Sequence, residues 1–255
     1  MKNILTFLLV FIGIQFAGGA IVQALWKLAT GSADVTPMML ITSTVVVSIL
    51  TIGTFLWARW TEVSPNWLHS RNWMTIFWTV IATLGLVIPS MWLQEQMPEL
   101  PNVAEQQFDM ILANKWGYLT IGILAPLAEE IVFRGAVLKQ LLTTPSLTPL
   151  SAVVLSAIFF AVIHVNPAQM PHAFIAGLLL GWLYFRTGSI LPGMCLHWVN
   201  NSVAYVMYNI YPDPDMKLVE LFKGSETNVY MALGFSLLIL LPALYQLHVW
   251  MRRAE

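Results

Sequence analysis

Apolar residues gather into windows at about 4–26, 37–58, 73–93, 116–142, 150–165, 170–185, 190–208 and 229–251, divided by short polar connections. A helix rises 1.5 Å per residue, so roughly 20 apolar residues cross the ~30 Å hydrocarbon core of a bilayer. The pattern predicts an all-α fold, a polytopic transmembrane helical bundle of about eight spans. The windows at 150–165 and 170–185 are short and only a few residues apart around Asn166-Pro167, which predicts a tight antiparallel pair.

Composition sharpens this reading. The 255 residues are 58% hydrophobic and only 10% charged, outside the range of water-soluble domains. No repeat or linker composition divides the chain. One integral membrane domain is expected, with N-terminal helices at 1–115, a chemistry-bearing core at 116–208, and a loop and last helix at 209–255. The first apolar run, although preceded by Lys2 and containing Ala17-Gly18-Gly19-Ala20, outlasts a signal-peptide core and is read as an uncleaved span. Net charge is −1, and no basic run interleaves with aromatics, so nucleic acid is not an expected partner. Lone Cys195 makes neither an intrachain disulfide nor a cysteine zinc site.

Lys and Arg in the loops set the expected orientation. An inside N-terminus puts Lys2, Arg59, Arg71, Lys139, Arg186, Arg252 and Arg253 inside, against Lys27, Lys115, Lys217 and Lys223 outside. Both termini are therefore expected in the cytoplasm, with the long loops 94–115 and 209–228 outside, in a bacterial inner membrane. Within the first of these loops, 103–116 is a candidate interfacial helix bordering the substrate's path. Trp57, Trp60, Trp92, Trp116 and Trp250 near span ends are expected interfacial anchors.

Ionisable groups inside apolar spans are the informative exceptions, since each costs several kcal/mol unless paired or solvated. The window at 116–142 holds Glu129, Glu130 and Arg134; 150–165 holds His164; 190–208 holds His197, Asn200 and Asn201. Residues four apart share a helix face, so Glu130 pairs with Arg134. That pair alone would serve as a helix-packing lock. Glu129 points elsewhere, adds repulsion without an obvious contact, and is the candidate general base. A lone apolar-helix histidine is more often a packed core residue; two of them favour chemistry. His197 and Asn201 project to one point and offer N–H groups to a developing oxyanion, while Asn200 suits interhelical hydrogen bonding. His164 shares a water with Glu129. His172, His69 and His248 sit near loops or span ends, where structural or solvated roles are expected. Rise per residue puts Glu129 and His197 each about 18 Å from the outer ends of their spans, and His164 roughly 10 Å shallower.

Other hydrolytic chemistries lack their parts. There is no Gly-x-Ser-x-Gly elbow or His-Glu-x-x-His pair, and Cys195 lies about 200° around the helix from His197. A site assembled from Glu and His on three helices leaves a divalent metal open as an alternative to no cofactor.

Glu-Glu-x-x-x-Arg at 129–134, Phe-x-x-x-His at 160–164 and His-x-x-x-Asn at 197–201 together resemble the signature of the type II CAAX prenyl endoprotease and bacteriocin-processing (CPBP) family, also called abortive-infection-like. The resemblance spans about 116–208. It implies a multi-helix intramembrane endopeptidase, historically classed as a metalloendopeptidase, that works through a glutamate-activated water without obligatory metal. Glu129 with His164 would activate the water, His197 with Asn201 would form the oxyanion site, and Glu130 with Arg134 would hold the geometry. Its partners would be the bilayer and a protein or peptide substrate, with C-terminal lipidation left open. A non-catalytic scaffold or immunity protein of the same fold is the first rival, and an ion-coupled transporter the second.

Overall fold

The computed structural model describes residues 2–62, 64, 72–213 and 216–251. His69, Arg71, Arg252 and Arg253, which entered the expectations above, lie outside them. Every described element is helical. In chain order they are α1 (2–30, with a π-helical stretch at Ile14–Gly18), α2 (Pro37–Trp57), α3 (Trp73–Glu95), α4 (Glu105–Leu112) and α5 (118–142). They continue with α6 (Pro149–Val162), α7 (Met170–Thr187), α8 (Leu191–Ile210), the short α9 (Leu218–Leu221) and α10 (Glu226–Trp250).

Each apolar window falls on one of these helices, with ends set by ordinary capping chemistry. Thr36 and Thr148 cap α2 and α6 by accepting from Met39 N and Ser151 N, each followed by a proline at the first helical position. Gly31 and Gly188 close α1 and α7 in the left-handed conformation. Four helices are long and apolar enough to cross a membrane: 3–30, 37–57, 73–95 and 226–250. Their outer faces leave large apolar side chains uncovered, among them Phe16, Leu28, Phe235 and Leu238, as an integral membrane protein does where lipid is the solvent. α5, α7 and α8 carry the polar site residues within their runs, and α6 has only 14 residues. By length and apolarity alone four helices qualify as crossing; the expectation of about eight counts α5, α6, α7 and α8 as well.

α5 runs through the centre. All eight residues of its π-helical stretch Ile131–Leu138 are buried, against Phe11 of α1 at 5.6 Å and Phe160 of α6 at 5.3 Å between ring centroids. A π turn leaves backbone carbonyls poorly matched, and buried carbonyls need donors. Thr61 donates to Ile131 O at 2.6 Å and Ser156 to Phe133 O at 3.3 Å. Thr61 reaches in because residue 135 is glycine: a Cβ there would lie 2.1 Å from the threonine methyl.

α6 and α7 form the expected antiparallel pair. A Cβ on Gly177 would meet Ala157, and one on Gly181 would meet Val153, at 3.1 and 2.9 Å, so glycines set how closely the helices approach. α3 lies against α10, with Gly85 over the Leu240 backbone and Asn72 donating to Trp250 O at 3.3 Å. Trp57 and Trp116 are exposed as anchors should be. Trp60 instead packs on Phe7 and Phe55, with centroids at 4.9 and 5.1 Å, because the chain turns back after α2 at Arg59, whose φ is +57°.

Candidate active site

Three helices deliver the polar residues to one place. Glu129 and Glu130 sit at the end of the α-helical stretch Ala125–Glu130 in α5, where the π turns begin. Glu130 is wholly buried. Its Oε1 accepts from Arg134 Nη1 at 2.7 Å and from His197 Nδ1 at 3.1 Å. Arg134, also buried, lies with Cζ 4.3 Å from the centre of the Phe160 ring, a cation–π contact in a dry setting. α8 comes close enough for this arrangement because residue 193 is glycine; a Cβ there would stand 2.7 Å from Glu130 Oε2.

His197 links the two glutamates. Nδ1 faces Glu130, and Nε2 lies 3.6 Å from Glu129 Oε2. The Glu129 side chain is 23% exposed, whereas Glu130 shows none, so only the first carboxylate is open to a water or substrate. From the sequence, His197 pointed at an oxyanion together with Asn201. The structure adds a hydrogen bond to Glu130 and places Nε2 beside Glu129, which spacing within one helix could not reveal.

His164 lies just beyond the end of α6, and Nδ1 is 2.7 Å from Phe160 O. A carbonyl only accepts, so Nδ1 carries the proton and Nε2 is left as the acceptor in the neutral ring. The Phe160 ring touches the rings of both His164 and His197, at 4.9 and 5.8 Å between centroids. This removes the depth mismatch expected for His164. α6 stops early, and in the turn after it Asn166 is fully buried while Val165 stays exposed. Asn166 Nδ2 donates to Asn102 Oδ1 at 2.8 Å, and Asn166 Oδ1 accepts from Val103 N at 3.2 Å.

Asn201 Nδ2 donates to Ile121 O at 3.0 Å. That carbonyl lies five residues before Pro126, which has no N–H to offer in the π register of Tyr118–Leu124. The second Asn201 amide hydrogen stays available. Asn200, expected to bond between helices, donates instead to Asn201 Oδ1 at 3.2 Å and lines a cavity of about 350 Å³ with His172. Leu112, at the end of α4, lines it too, so the helix expected within 103–116 exists and borders this space. Sequence reasoning passed over His172, because a histidine at a helix start carries no signal until the fold turns it inward.

Among the described residues no three His, Cys, Asp or Glu side chains group as a metal site would need; Glu130 is held by Arg134 and by His197 Nδ1.

With this geometry in place, comparison with known families becomes specific. Residues 112–203 match the family described as type II CAAX prenyl endopeptidase, Rce1-like. Over this stretch the chain is similar to that family. All seven residues of the three motifs fall inside it. No curated protein and no solved structure matches the chain. The matched stretch runs from the end of α4 to the middle of α8, and so contains every group that meets around His197 and Glu129.

Proposed function

We propose that the protein is an intramembrane endopeptidase that hydrolyses a peptide bond of a membrane-associated protein or peptide with a water activated by Glu129. The observation that carries this reading is the division of labour between adjacent carboxylates: Glu130 buried and tied to Arg134 and His197, Glu129 partly open beside His197 Nε2. A general base must reach its proton within hydrogen-bond distance, directly or through one water. Glu129 meets that condition and Glu130 does not.

The water rests between Glu129 and His164 Nε2. Glu129 takes its proton as the oxygen attacks the peptide carbonyl carbon. Negative charge then builds on the carbonyl oxygen, where the free Asn201 amide hydrogen and the His197 ring donate to it. Collapse breaks the C–N bond, and the proton held by Glu129 passes to the departing amine. Glu130, Arg134 and the Phe160 ring hold His197 in place throughout. No step calls for a nucleophilic side chain or a metal.

Contacts between helix ends support eight passages with both termini inside. At the expected inner side, Lys139 pairs with Glu62 at 3.1 Å, and Arg186 Nη2 donates to His248 O and Met251 O, both at 2.9 Å. At the expected outer side, Asn166 holds Asn102, Glu95 Oε1 accepts from Leu218 N, and Asn209 donates to Leu112 O. The two sets do not mix, as alternating passage requires. Inner-membrane residence follows the same reading.

Purified protein in detergent, incubated with a quenched-fluorescent peptide library that includes farnesylated Cys-a-a-X peptides, tests the activity. Cleavage by the wild type and not by Glu129→Gln is the expected result. Equal cleavage by both would remove Glu129 as the base, and uptake of solute by protein-containing liposomes without cleavage would favour a carrier.

A further inference from the structure

His172 stands in the first turn of α7, directly after Pro171. Its partly buried ring helps line the cavity of about 350 Å³ together with Asn200, Val203 and Met207 of α8 and Val87 and Met91 of α3. The other two imidazoles nearby each hold a hydrogen bond: His164 Nδ1 to a carbonyl, His197 Nδ1 to Glu130. His172 lies within electrostatic range of both, yet makes no hydrogen bond among the described residues. Neither of its ring nitrogens is a buried unpaired atom, so both remain open to a ligand in the cavity.

Its position is fixed from both sides. The turn before it is clamped by Asn166 onto Asn102 and Val103, and Ala168 N donates to Pro101 O at 3.3 Å. Across the cavity wall, Asn200 gives an amide hydrogen to Asn201 and so keeps its own Oδ1 free to accept. One donor and one acceptor then face the same apolar space. That is the complement of a peptide unit, which presents one carbonyl and one N–H.

We infer that His172 is a positioning residue for the substrate: its ring N–H donates to a backbone carbonyl of the bound peptide while Asn200 Oδ1 accepts the neighbouring N–H, with an apolar side chain seated against Val87, Met91, Val203 and Met207. The inference rests on the peptidase reading above. It assigns the cavity as the stretch where the chain flanking the scissile bond lies, one residue along α8 from Asn201.

Two readouts test it. In the first, His172→Phe and His172→Gln are compared with wild type on the best-cleaved library peptide. His172→Phe raises KM about tenfold, the worth of one hydrogen bond in a buried site, with kcat within about twofold, and His172→Gln, which keeps a donor, recovers most of the loss. A fall in kcat at unchanged KM, or glutamine no better than phenylalanine, overturns the proposal. In the second, fluorescence anisotropy of a short fluorescein-labelled peptide with a central Leu-Phe pair is measured with Glu129→Gln protein, with and without His172→Phe. About tenfold weaker binding by the double variant supports the assignment; equal binding, or none to either, overturns it. If no wild-type cleavage is seen, the peptidase reading fails by itself, and the anisotropy result still decides the role of His172.

Discussion

Two adjacent glutamates in one helix have opposite circumstances, and the difference follows from what surrounds each carboxylate. Glu130 holds Arg134 and His197 on one oxygen while its other oxygen is buried against Gly193 without a partner. Arg134→Ala leaves that carboxylate without its counter-charge, and a drop in stability of about 3–5 kcal/mol is expected. Thermal unfolding in detergent reads it; an unchanged transition would mean that Glu130 takes up its proton or water without penalty. Gly193→Ala inserts a methyl where Glu130 Oε2 now sits, costing about 1–3 kcal/mol as overpacking and pushing the carboxylate off His197. Hydrolysis should fall more than stability, which parallel melting and turnover measurements separate. Much of this site was legible beforehand. The i, i+4 pairing of Glu130 with Arg134 follows from helix geometry alone. The bridge by His197, the Phe160 ring beneath Arg134 and the inward turn of His172 were not legible, since each depends on how separate helices are brought together.

At the scale of elements, the sequence pattern located each main helix but not the irregular backbone inside α5. π-helical stretches flank Ala125–Glu130 on both sides, and their carbonyls are met by Asn201, Thr61 and Ser156. Hydropathy registers none of this, because a π turn changes hydrogen-bond register without changing apolar content. The turn between α6 and α7 was expected to be tight. That it is clamped by Asn166 depends on a segment more than sixty residues earlier. Asn166→Ala removes both hydrogen bonds to Asn102 and Val103 and should cost about 1–3 kcal/mol, with a larger fractional loss of turnover as His164 and His172 lose their fixed positions. Turnover that tracks wild type while stability falls would show that the clamp does not serve the site.

For the whole molecule, apolar periodicity gave the right class because a bilayer permits few alternatives to fully hydrogen-bonded helices. Four helices qualify as crossing on apolarity alone, because α5, α7 and α8 trade apolar residues for the site's polar ones. Impermeant maleimide labelling in a Cys195→Ser background checks the orientation. Asp34→Cys, between α1 and α2, is expected to label from outside intact cells, and Thr144→Cys, between α5 and α6, only after the membrane is opened. The reverse pattern would invert the molecule and move the cavity beside His172 to the cytoplasmic side.

The most direct test of the central claim is the rate of peptide hydrolysis by wild-type protein and Glu129→Gln in detergent, each with and without excess chelator. Loss of the base is expected to lower kcat/KM by at least about 100-fold, with wild-type turnover unchanged by the chelator. Turnover that persists in Glu129→Gln, or that vanishes with chelator and returns with added metal, would contradict a water activated by Glu129 alone.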